Sequence, residues 1–479
     1  MQTCGKPYFL CEKEVNSSEN QGNMYLWAMK PSIKLPIEDF DYHLPDQSIA
    51  YTPASNRSDS KLLVWDKEII AESTYNHIAS FIPEKAALYF NNSKVIAARI
   101  HFQKANNSTI EIFCLEPSNN YQPISMAMQA TQKVEWVCLV GGAKKWKEDY
   151  LEKEFELIKP SKNGKDKLAV INNNDNNNNN NNNNRISIKV RAKKIKSIDG
   201  KFLIEFSWDN NTISFSEIIE HIGSIPLPPY IQRATTEEDK DRYQTTYAKQ
   251  EGSVAAPTAG LHFNAAIFES LAQKKCSTDF ISLHVGAGTF MPVKTAAITD
   301  HEMHAEVFEI TTATLIHLIE IAKQKELHPA AFTPVIAVGT TTLRTIESLY
   351  WLGVKLINNE RLQANKDLHL LQWDAYDNNN NDNSRQTITV KEALSKLLSW
   401  MQSHQMTQLI TSTQLMIVPG YTFKIANGLV TNFHQPKSTL LLIIAAITVD
   451  KWKSIYQHAI DSQYRFLSYG DGCFFTINE

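Results

Sequence analysis

The chain has 479 residues, enough for two to three domains at about 150 residues each. Hydrophobic residues make up 43% and charged residues 21%, which supplies a core and excludes a disordered, highly charged chain. A net charge of −3 excludes wrapping in nucleic acid by global charge, though not a local basic patch.

Residues 1–30 mix Lys6, Lys13 and Lys30 with Glu12, Glu14 and Glu19 and hold no apolar segment. They read as a disordered extension, neither a secretory signal nor a basic transit peptide. From about 100 to 215 the pattern is short and β-like: Thr109-Ile-Glu-Ile-Phe113, Val134-Glu-Trp-Val137, Ile186-Ser-Ile-Lys-Val190 and Phe202-Leu-Ile-Glu-Phe206. This predicts a small all-β module. The positive charge gathers there. Residues 143–205 carry 13 Lys and 2 Arg against 9 acids, in a chain that is otherwise acidic. Residues 172–184 are Asn apart from Asp175, and 377–383 are Asn and Asp only. Amide tracts bury no apolar surface, so each is expected to be a solvated loop.

After about 255, strands alternate with helices. The pattern predicts strands at Phe280–Val285, Pro334–Val338, Gln414–Val418 and Leu429–Phe433. It predicts helices at Ala313–Lys325, from Thr340 through Tyr350, at Lys391–Gln402, from Ser438 or Thr439 to Val449, and at Lys451–Gln463. Such alternation implies a largely parallel, covered sheet with its site at the carboxyl ends of strands. The longest apolar run, Leu440–Ile447, falls far short of the roughly 20 residues that span a bilayer. Six scattered cysteines without Cys-x-x-Cys spacing suggest free thiols in a reducing, cytoplasmic setting.

The unusual residues follow these strands. Val285-Gly286-Ala287-Gly288-Thr289 is either a tight turn or a ligand loop, and on its own suggests a class I S-adenosylmethionine-dependent methyltransferase. Gly339-Thr340-Thr341-Thr342 opens a helix, where free amides suit an anion or Thr simply caps, and Arg344 lies one turn in. His301-Glu302-Met303-His304 has i, i+3 spacing, not the i, i+4 of a helical zinc motif, so acid–base or hydrogen-bonding work is expected and no metal. Asn432-Phe433-His434 sits between a strand and a capped helix, a good place for a catalytic or a structural His. Tyr464-Arg465-Phe466 to Ser468-Tyr469-Gly470-Asp471 either stacks bases or packs on the core. The basic run at Arg191, Lys193, Lys194 and Lys196 suits phosphate, or is a solvated face in a chain that binds tRNA without catalysis or not at all.

Taken in order, these strings join Phe90-Asn-Asn92, Ala98-Arg99, Pro226-Leu-Pro-Pro-Tyr230, Arg242-Tyr-Gln-Thr245 and Val254-Ala-Ala-Pro-Thr-Ala-Gly-Leu-His-Phe263. Together they resemble the S-adenosylmethionine:tRNA ribosyltransferase-isomerases of queuosine synthesis, from about residue 35 to the C-terminus. Lys94 and Ala97 stand where that family usually carries Arg and Pro, and Gly472-Cys473 is unusual after the Asp.

The resemblance implies an α/β fold: a three-layer α/β sandwich (31–100 and 216–479) with a small all-β barrel inserted at 101–215. It implies transfer and isomerisation of the ribosyl moiety of S-adenosylmethionine onto 7-aminomethyl-7-deazaguanine at the tRNA wobble position. Adenine and methionine leave, and epoxyqueuosine-tRNA remains. S-adenosylmethionine is a consumed co-substrate, with no cofactor, no membrane and a monomeric enzyme expected. The implied proton-transfer and orienting groups are His284, His301, His304, His434, Glu306 and Asp471. Substrate contacts are expected from Gly286, Gly288, Thr340, Thr341, Thr342, Arg344, Asn432 and Tyr469. Contacts to tRNA are expected from Arg191, Lys193, Lys194, Lys196 and Arg465.

Overall fold

The computed structural model describes residues 35–121, 123–158, 169–170, 185–286, 292–359, 362, 368–376 and 388–477. The extension 1–30, the tracts 172–184 and 377–383, and Gly288 lie outside them.

Nineteen strands are described: β1 Lys61–Asp66, β2 Ile69–Thr74, β3 Ala87–Asn91, β4 Ser93–Val95, β5 Arg99–Gln103, β6 Thr109–Pro117, β7 Lys133–Gly141, β8 Leu151–Ile158, β9 Ala169–Val170, β10 Arg185–Ile198, β11 Lys201–Trp208, β12 Gly223–Ser224, β13 Gln250–Ser253, β14 Ser277–Leu283, β15 Glu306–Thr311, β16 Val335–Val338, β17 Gln408–Thr413, β18 Gly428–Asn432 and β19 Gly472–Thr476. They form two large sheets and the short parallel pair β13–β4.

The nine-stranded sheet runs β17-β15-β14-β3-β16-β18-β19-β1-β2. Its central strands are apolar on both faces, as a sheet covered twice requires. Leu63, Trp65, Ala87, Tyr89, Val335, Ala337 and Phe475 enter one core. Their neighbours Leu62, Val64, Leu88, Phe90, Ile336, Val338 and Phe474 enter another. The period of two in the pleat makes this division. Helices Thr312–Leu327, Thr340–Asn358, Val390–Ser403, Thr439–Thr448 and Trp452–Asp461 cover the first face through Leu315, Leu343, Leu394, Leu441 and Ile455. Ile78–Phe81 and Ala265–Gln273 cover the second through Ile78, Ile267 and Leu271.

The sheet is mixed, not largely parallel. Strands β14, β3, β16 and β18 are mutually parallel, and β19–β1 is parallel. The other four pairings are antiparallel. The reason is local: β15 follows β14 through a loop, and β2 follows β1 through the two-residue turn Lys67-Glu68. Among the described residues neither connection holds the crossover helix that a parallel return needs. The expected strand Gln414–Val418 is buried but unladdered. Its amides at Gln414 and Met416 bond to the Leu370 and Gln372 carbonyls of a loop, and the strand is the preceding β17.

The second sheet, β12-β5-β6-β7-β11-β10-β8-β9, is antiparallel throughout. Its alternating residues Phe102, Ile112, Trp136, Val190 and Phe206 enclose one core with the helix Phe215–Ile222. Lys153 on β8 donates to the His101 carbonyl of β5 at 3.2 Å, linking strands that stand far apart in the sheet order. Among the described residues no helix is long and apolar enough to cross a membrane. Cys114, Cys138, Cys276 and Cys473 are free thiols.

Candidate active site

Two adjoining clefts open where the parallel strands β14, β16 and β18 end, the position expected of an α/β site. The first spans about 630 Å³, open solvent included, and takes Thr258, Val285, Gly339, Thr341, Asn432 and His434 among its lining. The second spans about 810 Å³ and takes Gly286, Lys294, His301, His304, Glu306 and Arg344. The first turn of the helix Thr340–Asn358 and the Ser438–Thr439 cap lie between them.

In the first cleft Asn432 ends β18 and is 3% exposed. Its Oδ1 accepts from Thr258 Oγ1 at 2.8 Å, and its Nδ2 lies 3.4 Å from His262 Nε2. His262 Nδ1 is 3.1 Å from the Arg57 carbonyl, so Nδ1 carries the proton and Nε2 accepts. Burial pushes the His262 pKa down to about 4, with the Arg465, Arg57 and Arg242 charges adding to the effect. His434 Nε2 is 3.0 Å from Thr431 Oγ1, and its backbone N–H donates to Tyr456 Oη at 3.1 Å. Burial pushes the His434 pKa down to about 3, so the ring is neutral at physiological pH and works as a hydrogen-bonding group.

Thr340, Thr341 and Thr342 begin a 19-residue helix whose N-cap is Gly339, at φ 99°, with no side-chain cap. Thr342 Oγ1 donates back to the Val338 carbonyl. Thr341 Oγ1 is buried and has no partner among the described residues.

The second cleft is built on an ion pair. Arg344 Nη2 donates to Glu306 Oε2, and both residues are 4% exposed. Burial pushes the Arg344 pKa down to about 10, leaving it cationic at neutral pH. His301 is half-buried, and burial plus the neighbouring His304 lower its pKa. His304 is exposed.

The fold thus brings Gly286, His301, His304, His434, Glu306, Thr340, Thr341, Arg344 and Asn432 to the clefts. Thr342 stays in the helix wall. Three residues expected at the site are placed elsewhere. His284 lies outside both linings, with Nε2 3.5 Å from Glu309 Oε1, because the pleat turns it to the side of the sheet opposite Leu283. Asp471 accepts the Lys61 and Arg465 amides at 2.9 and 2.7 Å, and the Asn432 Nδ2 reaches its carbonyl at 3.4 Å. One carboxylate oxygen therefore closes a turn onto Arg465 and the other ties that turn to β1. Tyr469 Oη donates to Asp239 Oδ1 at 2.7 Å, on a carboxylate that Arg233 grips with two guanidinium nitrogens.

Thr258, Thr431 and Ser438 also line the first cleft, and the sequence assigns none of them to a site. The Pro257-Thr258 turn was the available signal, since it places a hydroxyl on Asn432. Among the described residues no group of three or more His, Cys, Asp and Glu is gathered as for a metal ion.

On β10, Arg191 Nε donates to Glu152 at 2.8 Å and the guanidinium lies over the Tyr150 ring. Lys194 donates to the Trp146 carbonyl at 2.8 Å. Lys193 and Lys196 are exposed. Arg465 reaches Asp471 Oδ1 at 3.7 Å, with 35% of its side chain exposed.

Comparison with known proteins places this chain in a family. The model of the family "Queuosine biosynthesis protein" matches residues 37–475. The chain is 31% identical over 445 residues to an S-adenosylmethionine:tRNA ribosyltransferase-isomerase of Vesicomyosocius okutanii, covering 93% of this chain and 99% of that one. It is 32% identical to proteins of the same name from Halothermothrix orenii and Legionella pneumophila, each covering 91% of this chain and 98% of theirs. A solved S-adenosylmethionine tRNA ribosyltransferase from Thermotoga maritima is 22% identical, with TM-score 0.40, covering 91% of this chain and 99% of that one. The family model and these relatives span nearly all the elements that build the two clefts, and the chain belongs to the queuosine biosynthesis protein family.

Proposed function

We propose that the chain is an S-adenosylmethionine:tRNA ribosyltransferase-isomerase. It moves the ribosyl moiety of S-adenosylmethionine onto 7-aminomethyl-7-deazaguanine at the tRNA wobble position, leaving epoxyqueuosine-tRNA, adenine and methionine. The family match over residues 37–475 carries this reading. The clefts at the carboxyl ends of the parallel strands give it a site.

The chemistry needs a base beside the sulfonium, where positive sulfur acidifies the adjacent carbon. It needs a proton donor for the leaving adenine and a hold on the opened sugar while the amine adds. An oxygen of the sugar then displaces methionine. In this reading His434 and Asn432 hold the sugar by hydrogen bonds, since burial keeps His434 neutral. His301 and His304 are the proton carriers, being accessible from the second cleft. Glu306 and Arg344 fix its floor. His284, Asp471 and Tyr469 support the elements that carry these groups.

The same reading makes the nine-stranded unit a three-layer α/β sandwich, 31–100 with 216–479. It makes the unit at 101–215 an inserted barrel, closed where Lys153 reaches β5. tRNA lies along Lys193, Lys196 and Arg465, with Arg191 and Lys194 as flanking cations. The enzyme is a cytoplasmic monomer that uses no metal. Incubation with tRNA bearing the aminomethyl base and labelled S-adenosylmethionine tests the reading. Adenine and methionine should appear in equal amounts with the new nucleoside. S-adenosylhomocysteine would indicate a methyltransferase instead, and tRNA binding without turnover a passive partner. Activity should survive chelation, and a loss restored by zinc would overturn the metal-free assignment.

A further inference from the structure

The N-terminus of the helix Thr340–Asn358 differs from a capped helix end. Its first intrahelical bond is Leu343 N–H to the Gly339 carbonyl, so the amides of Thr340, Thr341 and Thr342 precede the ladder. No side chain caps them, and among the described residues none has a protein acceptor. All three residues are buried, at 8%, 6% and 0% exposure. Buried amides are nearly always paired, so three in one turn that find no acceptor among the described residues are open to a bound one.

A second observation points the same way. Thr341 Oγ1 is buried, lines the first cleft and has no partner. Gly339 leaves the approach to it open. A Cβ there would sit 3.5 Å from this hydroxyl, and at φ 99° no side chain is readily held. No Lys, Arg, Asp or Glu is among the described residues lining this cleft. The helix end, equivalent to roughly half a positive charge, therefore faces no opposing lining charge there. Arg344, one turn further in, is committed to Glu306.

We propose that the Thr340 and Thr341 amides and the Thr341 hydroxyl, at the cleft, form a subsite for one singly charged oxyanion of a substrate. The inference rests on the reading above for the two possible carriers. These are the methionyl carboxylate of S-adenosylmethionine and a phosphodiester next to the wobble nucleotide.

Thr341→Val tests it, because it removes the hydroxyl at nearly constant volume and takes no protein hydrogen bond from Oγ1. Binding of S-adenosylmethionine and of decarboxylated S-adenosylmethionine is measured by calorimetry on the full chain, with KM for tRNA alongside. A hydrogen bond to a charged group corresponds to roughly ten- to hundredfold in affinity. If the carboxylate is the anion, Thr341→Val loses about that factor for S-adenosylmethionine and little for the decarboxylated compound. If the phosphate is the anion, S-adenosylmethionine affinity is kept and KM for tRNA rises by a similar factor. Thr341→Ser should recover most of either loss, which separates a lost hydroxyl from a disturbed fold. The subsite is overturned if Thr341→Val changes neither affinity while the wild type releases adenine. A wild type that releases no adenine would instead overturn the proposed function.

Discussion

The helix Thr340–Asn358 treats two groups of buried donors in opposite ways. Two turns in, Glu347 is fully buried. Its Oε2 accepts from Tyr421 Oη and the Lys424 amide, both at 2.8 Å, and its Oε1 from the Ile425 and Ala426 amides at 2.9 Å. There the chain provides its own anion to a ring of donors. At the N-terminus of the same helix it provides donors and no anion. A closed polar cluster fixes the scaffold, whereas an open one in a cleft marks a place for substrate.

The sharpest way to break this comparison is Glu347→Ala. It strands three amides and a tyrosine hydroxyl without an acceptor in the core. The expected loss is about 3–5 kcal/mol of stability, read from urea unfolding. A cost below about 1 kcal/mol would mean the cluster is no scaffold, and the contrast with the helix end would fall.

Next in size is the Glu306–Arg344 pair. Arg344→Met takes the guanidinium away from the buried Glu306 carboxylate, which should cost about 3 kcal/mol. The double change Glu306→Gln with Arg344→Met removes both charges and should recover most of that stability. If the pair only fixes the floor of the second cleft, adenine release should recover with it. Recovered stability without recovered turnover would move Glu306 or Arg344 from the floor into the chemistry.

The two buried histidines give a pH signature. Burial holds His434 and His262 at pKa about 3 and about 4, below the ordinary 6.5. The unfolded chain thus binds protons first as pH falls. Stability is full above about 6.5 and declines below it, by about 2 kcal/mol per histidine at pH 5. Urea unfolding at pH 7 and pH 5 measures this; about half the expected loss would show that one ring is solvated, and equal stabilities that both are. The His434 titration should leave no limb near neutrality in the pH profile of adenine release.

Much of this was legible in sequence because both large sheets advertise their pleat. The alternation in Thr109–Phe113 and Phe202–Phe206 gave β6 and β11, and the apolar run Val335–Val338 gave β16. The hairpin β1–β2 was not legible. Its turn residues Lys67 and Glu68 both adopt positive φ, at 46° and 68°, a conformation that Asn-Gly would have announced. Gln414–Val418 misled because burial alone leaves an apolar signature, while a strand also needs a ladder. Asp471 and Tyr469 misled for a related reason. Residue type cannot distinguish a carboxylate whose oxygens take backbone amides from one that faces a ligand. The loop at Gly288 lies outside the described residues.

The smallest expected effect extends the comparison to the basic face of β10. Arg191 is held by Glu152 and Tyr150, and Lys194 by the Trp146 carbonyl and ring. These are closed clusters in miniature, and an exposed ion pair contributes little to stability. Lys193 and Lys196 are exposed, on either side of the irregularity in the β10–β11 register between Lys194 and Lys196. If open donors mark substrate, the double change Lys193→Ala with Lys196→Ala should weaken tRNA binding. It should also flatten the plot of log affinity against log salt by about 0.7 to 0.9 per lost phosphate contact. Arg191→Ala should do less, because its charge is already answered by Glu152. Filter binding at several salt concentrations reads both slopes. A larger change for Arg191 than for the two lysines would reverse the order, because it would show that tRNA displaces Glu152 and that this ion pair is a resting state of the binding face.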